Sequence, residues 1–367
     1  MKLCTLSTGD IVYRYYKSIV ILFKQPRKVL STSVFNGGYR EDLKAVFNHD
    51  CNPGAGMACT LRAPTYEEHM CLVAQDLGLD PEAASGMATA ASMDNVSIQS
   101  MKHEKLTVTA LVTGGVEVNG GRVGDPAHYY QPVEKSTLNK PGTINIMLLI
   151  DADMPPGTLA RALVTCTEAK TAALQELMAG SNYSTGLATG SGTDSSIVIA
   201  NPSSRLYLES SGKHSKLGEM IGCTVKLAVK EALLRQNGLS PVKQHSILRR
   251  LKRFGLTEEV LWQRWQEDKA QNLKKAQYLA KLHQIDAHSM LVVYTSLYVH
   301  LLDQLSWHLL SPEQVTKTGS ELLVLAAQLF PVSAPVIASD SIEGCLQAWA
   351  KLMNTIVEVT LEAENYP

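Results

Sequence analysis

Acids, imidazoles and hydroxyl groups cluster in four stretches of this chain, three of them with glycine. VEVNGGRVGDPAHYY (Val116–Tyr130) holds Asn119, Arg122, Asp125 and His128, and LVTCTEAKT (Leu163–Thr171) holds Glu168. GLATGSGTDSSIVIA (Gly186–Ala200) holds Thr189, Ser191, Thr193 and Asp194, and SGKHSKLGE (Ser211–Glu219) holds His214. Asp125, Glu168, Asp194 and His214 are of the types that transfer protons or ligate a divalent metal. No pair among them has a diagnostic spacing such as H-E-x-x-H, and no serine lies in G-x-S-x-G. Spacing alone therefore reaches a polar site assembled from distant loops.

The third stretch is not a phosphate loop. Such a loop runs from a strand into a helix and ends in G-K-[ST], so that backbone N–H groups at the helix start face the phosphates. Here Gly186, Gly190 and Gly192 come after a helical segment and precede a β-branched run, and the last glycine has no lysine behind it. Two readings stand. One is a flexible entry that lets backbone approach a ligand beside Thr189, Ser191, Thr193 and Asp194. The other is a helix cap at Gly186 leading into a turn that contains Asp194. The other patches also have plain readings: an Asn-Gly hairpin loop, a polar helix face, and a surface or core histidine.

The elements that must carry these patches can be read from periodicity. Ile19–Phe23 and Val29–Val34 are short β-branched runs closed by Lys24-Gln25-Pro26 and Asn36-Gly37-Gly38, which predicts two neighbouring strands, with a helix starting from Arg40. Leu106–Thr113 and Thr143–Ile150 read as strands, as does Ser196–Ala200. Leu159, Leu163, Cys166, Ala169, Ala173 and Leu177 recur at helical spacing within Gly157–Met178, and Lys216–Arg235 is periodic again. The alternation of strand and helix predicts an α+β or α/β layer with a mixed sheet.

Past Gln236 the texture changes. Asn237–Pro241 (NGLSP) has helix-stop and turn chemistry, and the remainder of the chain is helical in pattern, so residues 1–236 and 237–367 are expected to be separate domains, the second all-helical. The segment from Lys243 to Lys281 is basic and carries Trp262 and Trp265; aromatics three apart on an amphipathic helix are expected to pack inward while the charges stay solvated. Met290–Leu302 is too short to cross a bilayer and reads as a buried helix.

Composition narrows the class. A hydrophobic share of 45% fills a substantial core, and a net charge of -1 provides no global field to attract nucleic acid or an anionic membrane. The seven cysteines form no C-x-x-C pair, which fits reduced thiols in a cytoplasmic protein, and the opening residues lack the pattern of a secretory signal.

At these same stretches the chain resembles the adenosylcobinamide amidohydrolase family of corrinoid-salvage enzymes. The resembling text is NGGRVGDPA (Asn119–Ala127), GTINIMLLI (Gly142–Ile150), TEAKTAAL (Thr167–Leu174), ATGSGTDSSIV (Ala188–Val198) and HSKLGEMIG (His214–Gly222), in matching order, with FNGGY near Asn36 as a further match. It covers residues 1 to about 236. Ser191 stands where the family's loop has Thr, and Gly120-Gly121 where it more often has Ala and a variable residue. The resemblance implies hydrolysis of the amide joining aminopropanol to the corrin ring, giving adenosylcobyric acid for cobalamin salvage. It implies that Glu168 or Asp194 activates water and that His214 protonates the leaving amine. Lys216, or the backbone N–H groups of Gly190, Ser191 and Gly192, would face the oxyanion, with Lys170 and Arg122 as alternatives and Thr193 binding substrate from the same loop. Asn36, Asn119 and Asn145 would hydrogen-bond the amide-rich corrinoid, with Asp125 in the same loop as Arg122. A divalent metal held by Asp, Glu and His and a covalent route through Thr193, Ser191 or Ser215 both stay open. The rival to hydrolysis is a non-catalytic corrinoid-binding module. In either case the helical tail is expected to serve a partner or a homo-oligomer, with no nucleic acid and no membrane insertion.

Overall fold

The computed structural model describes residues 1–54, 61–127, 143–268 and 274–365. The chain forms two compact units, Met1–Tyr183 with Leu187–Ser240, and Ser184–Gly186 with Pro241–Pro367.

In chain order the first unit contains β1 (Lys2–Thr5), β2 (Ile11–Tyr15), β3 (Ser18–Leu22), β4 (Lys28–Ser31), β5 (Gly38–Arg40), β6 (Ala45–Asp50), α1 (Tyr66–Asp76), β7 (Ala84–Thr89), β8 (Ser97–His103), β9 (Leu106–Gly114), β10 (Gly120–Gly121), β11 (Ile144–Ile150), α2 (Pro156–Glu176), β12 (Gly190–Ser191), β13 (Ser195–Ala200) and α3 (Lys216–Asn237). One sheet has the order β5-β4-β13-β11-β9-β8, with β11 and β13 parallel and the other neighbours antiparallel. A second has the order β1-β2-β3-β6-β7, with only β6 and β7 parallel. The class is α+β with mixed sheets, as the sequence predicts.

Side-chain parity explains the layering. Ile144, Ile146, Leu148 and Ile150 of β11 join Val108, Ala110 and Val112 of β9 in a core covered by Leu159, Cys166 and Ala173 of α2 and Ile221, Val225 and Val229 of α3. The alternate residues Met147, Leu149, Leu111, Ile197 and Ile199 face the other way, onto Val12, Ile19, Ile21, Val46 and Met87 of the second sheet. The far side of that sheet, Val20, Phe47 and Ala84, packs against Met70, Val73 and Ala74 of α1. The order of layers is thus α2 and α3, first sheet, second sheet, α1. Each fully buried Val, Leu or Ile contributes about 1.5–3 kcal/mol, so a one-residue register slip in β11, buried throughout, would exchange two cores at once.

The helix expected from Arg40 is absent: Arg40 ends β5 and Ala45–Asp50 is β6. Leu43, Val46 and Phe47 fit a helical face, but β6 lies between β3 and β7 and is covered on both faces, so its apolar residues run together without strand-like alternation. Helices α2 and α3 form where the sequence places them, and α3 ends on Gly238 at φ 69°, a left-handed cap.

The second unit is helical, as expected: α4 (Ile247–Leu251), α5 (Glu258–Asp268), α6 (Lys275–Asp286), α7 (Ser289–Ser306), α8 (Pro312–Ala327) and α9 (Ile342–Asn365). Trp262 and Trp265 turn inward and stack at 5.5 Å beside Tyr278, whose hydroxyl donates to Asn354 Oδ1 at 2.6 Å. Met290–Leu302 is helical but amphipathic: Leu291, Val292 and Tyr298 are buried, while Met290, Val293 and Leu297 are exposed. Among the described residues no helix is long and apolar enough to cross a membrane.

Candidate active site

Four of the family-like stretches converge. Gly120 and Gly121 of β10 pair with Ser191 and Gly190 of β12, so the loop of Asn119–Asp125 is zipped onto the loop of Gly190–Asp194. The pairing continues through Thr189 N donating to Gly121 O at 2.9 Å, and Val123 N donating to Thr189 Oγ1 at 2.8 Å. Asp125 braces its own loop: its Oδ2 accepts from Arg122 N at 2.7 Å and from Ser181 Oγ at 2.6 Å. Arg122 Nη1 donates to Leu187 O at 3.2 Å. Asn119 is buried, and its Oδ1 accepts from Tyr183 Oη at 2.7 Å. His128 lies outside the described residues.

Asp194 is the organising group of this region. Its Oδ1 accepts from Ile144 N at 2.7 Å and Ser191 Oγ at 2.7 Å, and its Oδ2 from Ser191 N at 3.0 Å and from Lys170 Nζ. Lys170 projects from the buried face of α2, and both side chains of the ion pair are about nine-tenths buried. A Cβ on Gly190 would stand 2.4 Å from Asp194 Oδ2 and 2.8 Å from Lys170 Nζ, so only glycine lets the loop close over the pair. Thr143 Oγ1 donates to Thr193 O at 2.6 Å and fixes the loop's far side. The loop is thus neither a phosphate cradle nor a plain turn, but a backbone wrapped around a buried carboxylate.

Glu168 lies two residues before Lys170 and so on the opposite face of α2. It is exposed and accepts from Lys213 Nζ at 3.2 Å, beside His214, which is also exposed. The Ser211–Ser215 segment is fixed against α2, since Thr165 Oγ1 donates to Ser211 O at 2.9 Å and Ser211 Oγ to Thr158 O at 2.7 Å. Ser215 caps α3 by accepting from Gly218 N at 3.0 Å, and a Cβ on Gly218 would fall 2.0 Å from Gly212 O. Lys216 is exposed, pairs with Glu219 at 2.7 Å, and lines a cavity of 460 Å³ with Tyr207, Glu209 and Ser215. Glu168 and Lys213 therefore form one exposed pair, with the exposed His214 next to Lys213 in sequence, and Asp194 with Lys170 a separate buried one.

Two predicted asparagines are committed within the fold. Asn145 is buried between the sheets and its Nδ2 donates to Asn48 Oδ1 at 2.8 Å and Ala88 O at 3.0 Å, while Asn48 donates to Thr113 Oγ1 at 2.8 Å. Asn36, at φ 49°, donates to Pro81 O at 2.6 Å and Ala84 O at 2.7 Å.

Among the described residues, the side chains that gather as metal ligands are His49, Cys51 and His69, whose ligand atoms lie within 4.8 Å of one another; Asp194, Glu168 and His214 do not. Burial pushes the His49 imidazole down to about 4, with the nearby charges of His69, Lys17 and Arg62 adding to the effect. Burial also lowers His69, as does Arg62. Sequence reasoning misses this group. Its signals are present: His49 and Cys51 share strand parity, and His69 comes just after the capping box of Thr65 and Glu68 that starts α1.

A family model described as adenosylcobinamide amidohydrolase (CbiZ) matches residues 3–241. An uncharacterized protein of Methanocaldococcus jannaschii is 35% identical over 232 residues, covering 60% of this chain and 87% of that protein. The matched segment contains every predicted site residue, and the chain belongs to the adenosylcobinamide amidohydrolase family.

Proposed function

We propose that this protein hydrolyses the amide between aminopropanol and the corrin side chain of adenosylcobinamide, releasing adenosylcobyric acid and aminopropanol, in a cytoplasmic salvage route. The observation that carries the reading is the family match across the whole first unit. Water adds to the carbonyl carbon, the C–N bond breaks, and the departing amine takes a proton.

Roles are assigned from exposure and existing bonds. Glu168 is solvent-accessible and takes the water's proton; His214, exposed and next in sequence to the Lys213 that pairs with Glu168, protonates the amine. Lys216, exposed at the start of α3, or alternatively the backbone of the exposed Gly192, faces the developing oxyanion. Asp194 acts as a positioning residue, since both its oxygens already accept hydrogen bonds. Val118 and Val123, 62% and 81% exposed on the loop that carries Asn119 and Arg122, offer apolar contact to the corrin. The test is incubation with adenosylcobinamide and detection of aminopropanol and a new corrinoid carboxylate by mass spectrometry. Tight corrinoid binding with neither product would replace hydrolysis by the binding-module reading.

A further inference from the structure

Strand β6 carries a second cluster on the face away from Asn48. Val46 and Asn48 point between the sheets, so Phe47 and His49 point toward α1. The ladder runs one residue past the strand, with Cys51 N donating to Thr89 O at 2.8 Å, which puts Cys51 on the same face as His49. His69 comes from the buried face of α1, alongside Met70 and Val73. Two elements thus deliver two imidazoles and a thiol to one place under the α1 layer.

We propose that His49, Cys51 and His69 bind one divalent cation of the zinc class, with a fourth position left for water or an exogenous ligand. The Cys51 Sγ to His69 Nε2 separation is 3.4 Å. A tetrahedral zinc with Zn–S of about 2.3 Å and Zn–N of about 2.0–2.1 Å sets these atoms about 3.5 Å apart. His49 Nδ1 lies 2.8 Å from Ser18 Oγ, the outer contact that orients a ligating imidazole and leaves Nε2 for the ion. The donor set of thiolate and imidazole, without a carboxylate, selects zinc-like ions over magnesium or calcium.

The competing use of these groups is a thiol–imidazole nucleophile, which needs His69 to become a cation. Arg62 N donates to His69 Nδ1 at 3.1 Å, which puts the neutral ring's proton on Nε2, so an imidazolium and a ring ligated through Nε2 would both have to break this bond. Ligation through Nε2 places the ring's proton on Nδ1, so the Arg62 N–H must give up this acceptor. The Arg62 amide therefore reports a proton arriving on His69 Nδ1, and a shift that follows added metal at constant pH reports ligation.

The experiment is cobalt(II) titration of the full-length, reduced protein, monitored by absorption and by amide NMR, with elemental analysis of protein purified without chelators. We expect one metal per chain, a thiolate-to-cobalt charge-transfer band with intense tetrahedral d–d bands, and a shifted Arg62 amide. Cys51→Ser should abolish the charge-transfer band, and His49→Ala and His69→Ala should each weaken cobalt binding about tenfold or more. Cys223→Ser, on α3, should leave all signals unchanged. Circular dichroism establishes that each variant is folded, and Ser18→Ala, which removes only the outer contact, gives a milder perturbation that should also weaken binding. A folded wild-type protein without the charge-transfer band, or a Cys51→Ser protein that keeps it, would overturn the proposal. Because no corrinoid enters the assay, its failure is separate from any failure of the hydrolase reading.

Discussion

Replacing Asp194 by Asn tests whether this carboxylate holds the site together or performs the proton transfer itself. In the wild-type protein it accepts from Ile144 N, Ser191 N, Ser191 Oγ and Lys170 Nζ, and its side chain is 12% exposed against 11% for Lys170. The amide removes the charge opposite a buried ammonium and turns one end from acceptor to donor among groups that are already donors. Removing one partner of a buried ion pair costs about 3–5 kcal/mol, and the retained amide oxygen keeps part of the bonding, so a loss of about 3 kcal/mol is expected. That corresponds to a drop of about a hundredfold in the protection of amides that exchange through opening of this region. Hydrogen exchange with mass spectrometry on peptides from α2, β11 and β13 measures it directly. Lys170→Met in the Asp194→Asn background removes the orphaned cation and should restore about 1–2 kcal/mol, a coupling visible only if the two side chains act as a pair. An Asp194→Asn protein with wild-type protection and no turnover would refute the positioning role and make Asp194 the proton acceptor.

Gly190→Ala should destabilise the same region by about 1–3 kcal/mol, because the new methyl meets Asp194 Oδ2 at 2.4 Å; exchange of the β12 and β13 amides reports it. Glu168→Gln and His214→Ala should each lower kcat by about 10²–10⁴ while melting within about 0.5 kcal/mol of wild type, since both side chains are exposed; wild-type turnover in both would remove them from the mechanism. Glu231 is held below its usual range of 4.5 by hydrogen bonds from Ser97 and Gln99 and by Arg235. Its folded-state pKa lies below the unfolded value, so it stabilises the protein above about pH 4.5 and the contribution is lost as pH falls through the folded value. Glu231→Gln should therefore cost about 1 kcal/mol at pH 7 and flatten the acid limb of a urea-denaturation series; an unchanged acid limb would contradict this.

The elements legible in the sequence are those with one dominant face. Gly157–Met178 repeats apolar residues at helical spacing because α2 covers only one face of a sheet, and its charged face, with Glu168, stays in water. Ala45–Asp50 is misread because β6 is buried on both sides, so burial erases the alternation that would mark it as a strand. Helix α1 carries an explicit start signal, Thr65 with Glu68, that periodicity alone does not pick out. The helix-stop signal read at Asn237–Pro241 coincides with the left-handed cap at Gly238, where glycine supplies the φ that ends α3.

The four candidate patches are legible in the sequence but their division between a buried and an exposed group is not, and the reason is parity. Glu168 and Lys170 sit in one short motif, yet two residues along a helix is more than half a turn, so one reaches Lys213 in solvent and the other the buried carboxylate of Asp194. The same rule divides β6, where Asn48 joins Asn145 between the sheets while His49 turns to His69. A motif in this chain therefore does not mark a single surface, because adjacent letters serve different layers. This separates two demands that one patch could not meet together. Groups exchanging protons with water must stay exposed, whereas the carboxylate that fixes the Gly190–Asp194 backbone must be dry enough for its bond to Lys170 to hold the loop rigid. If that division is correct, changes in the buried group will move stability and turnover together, and changes in the exposed group will move turnover alone.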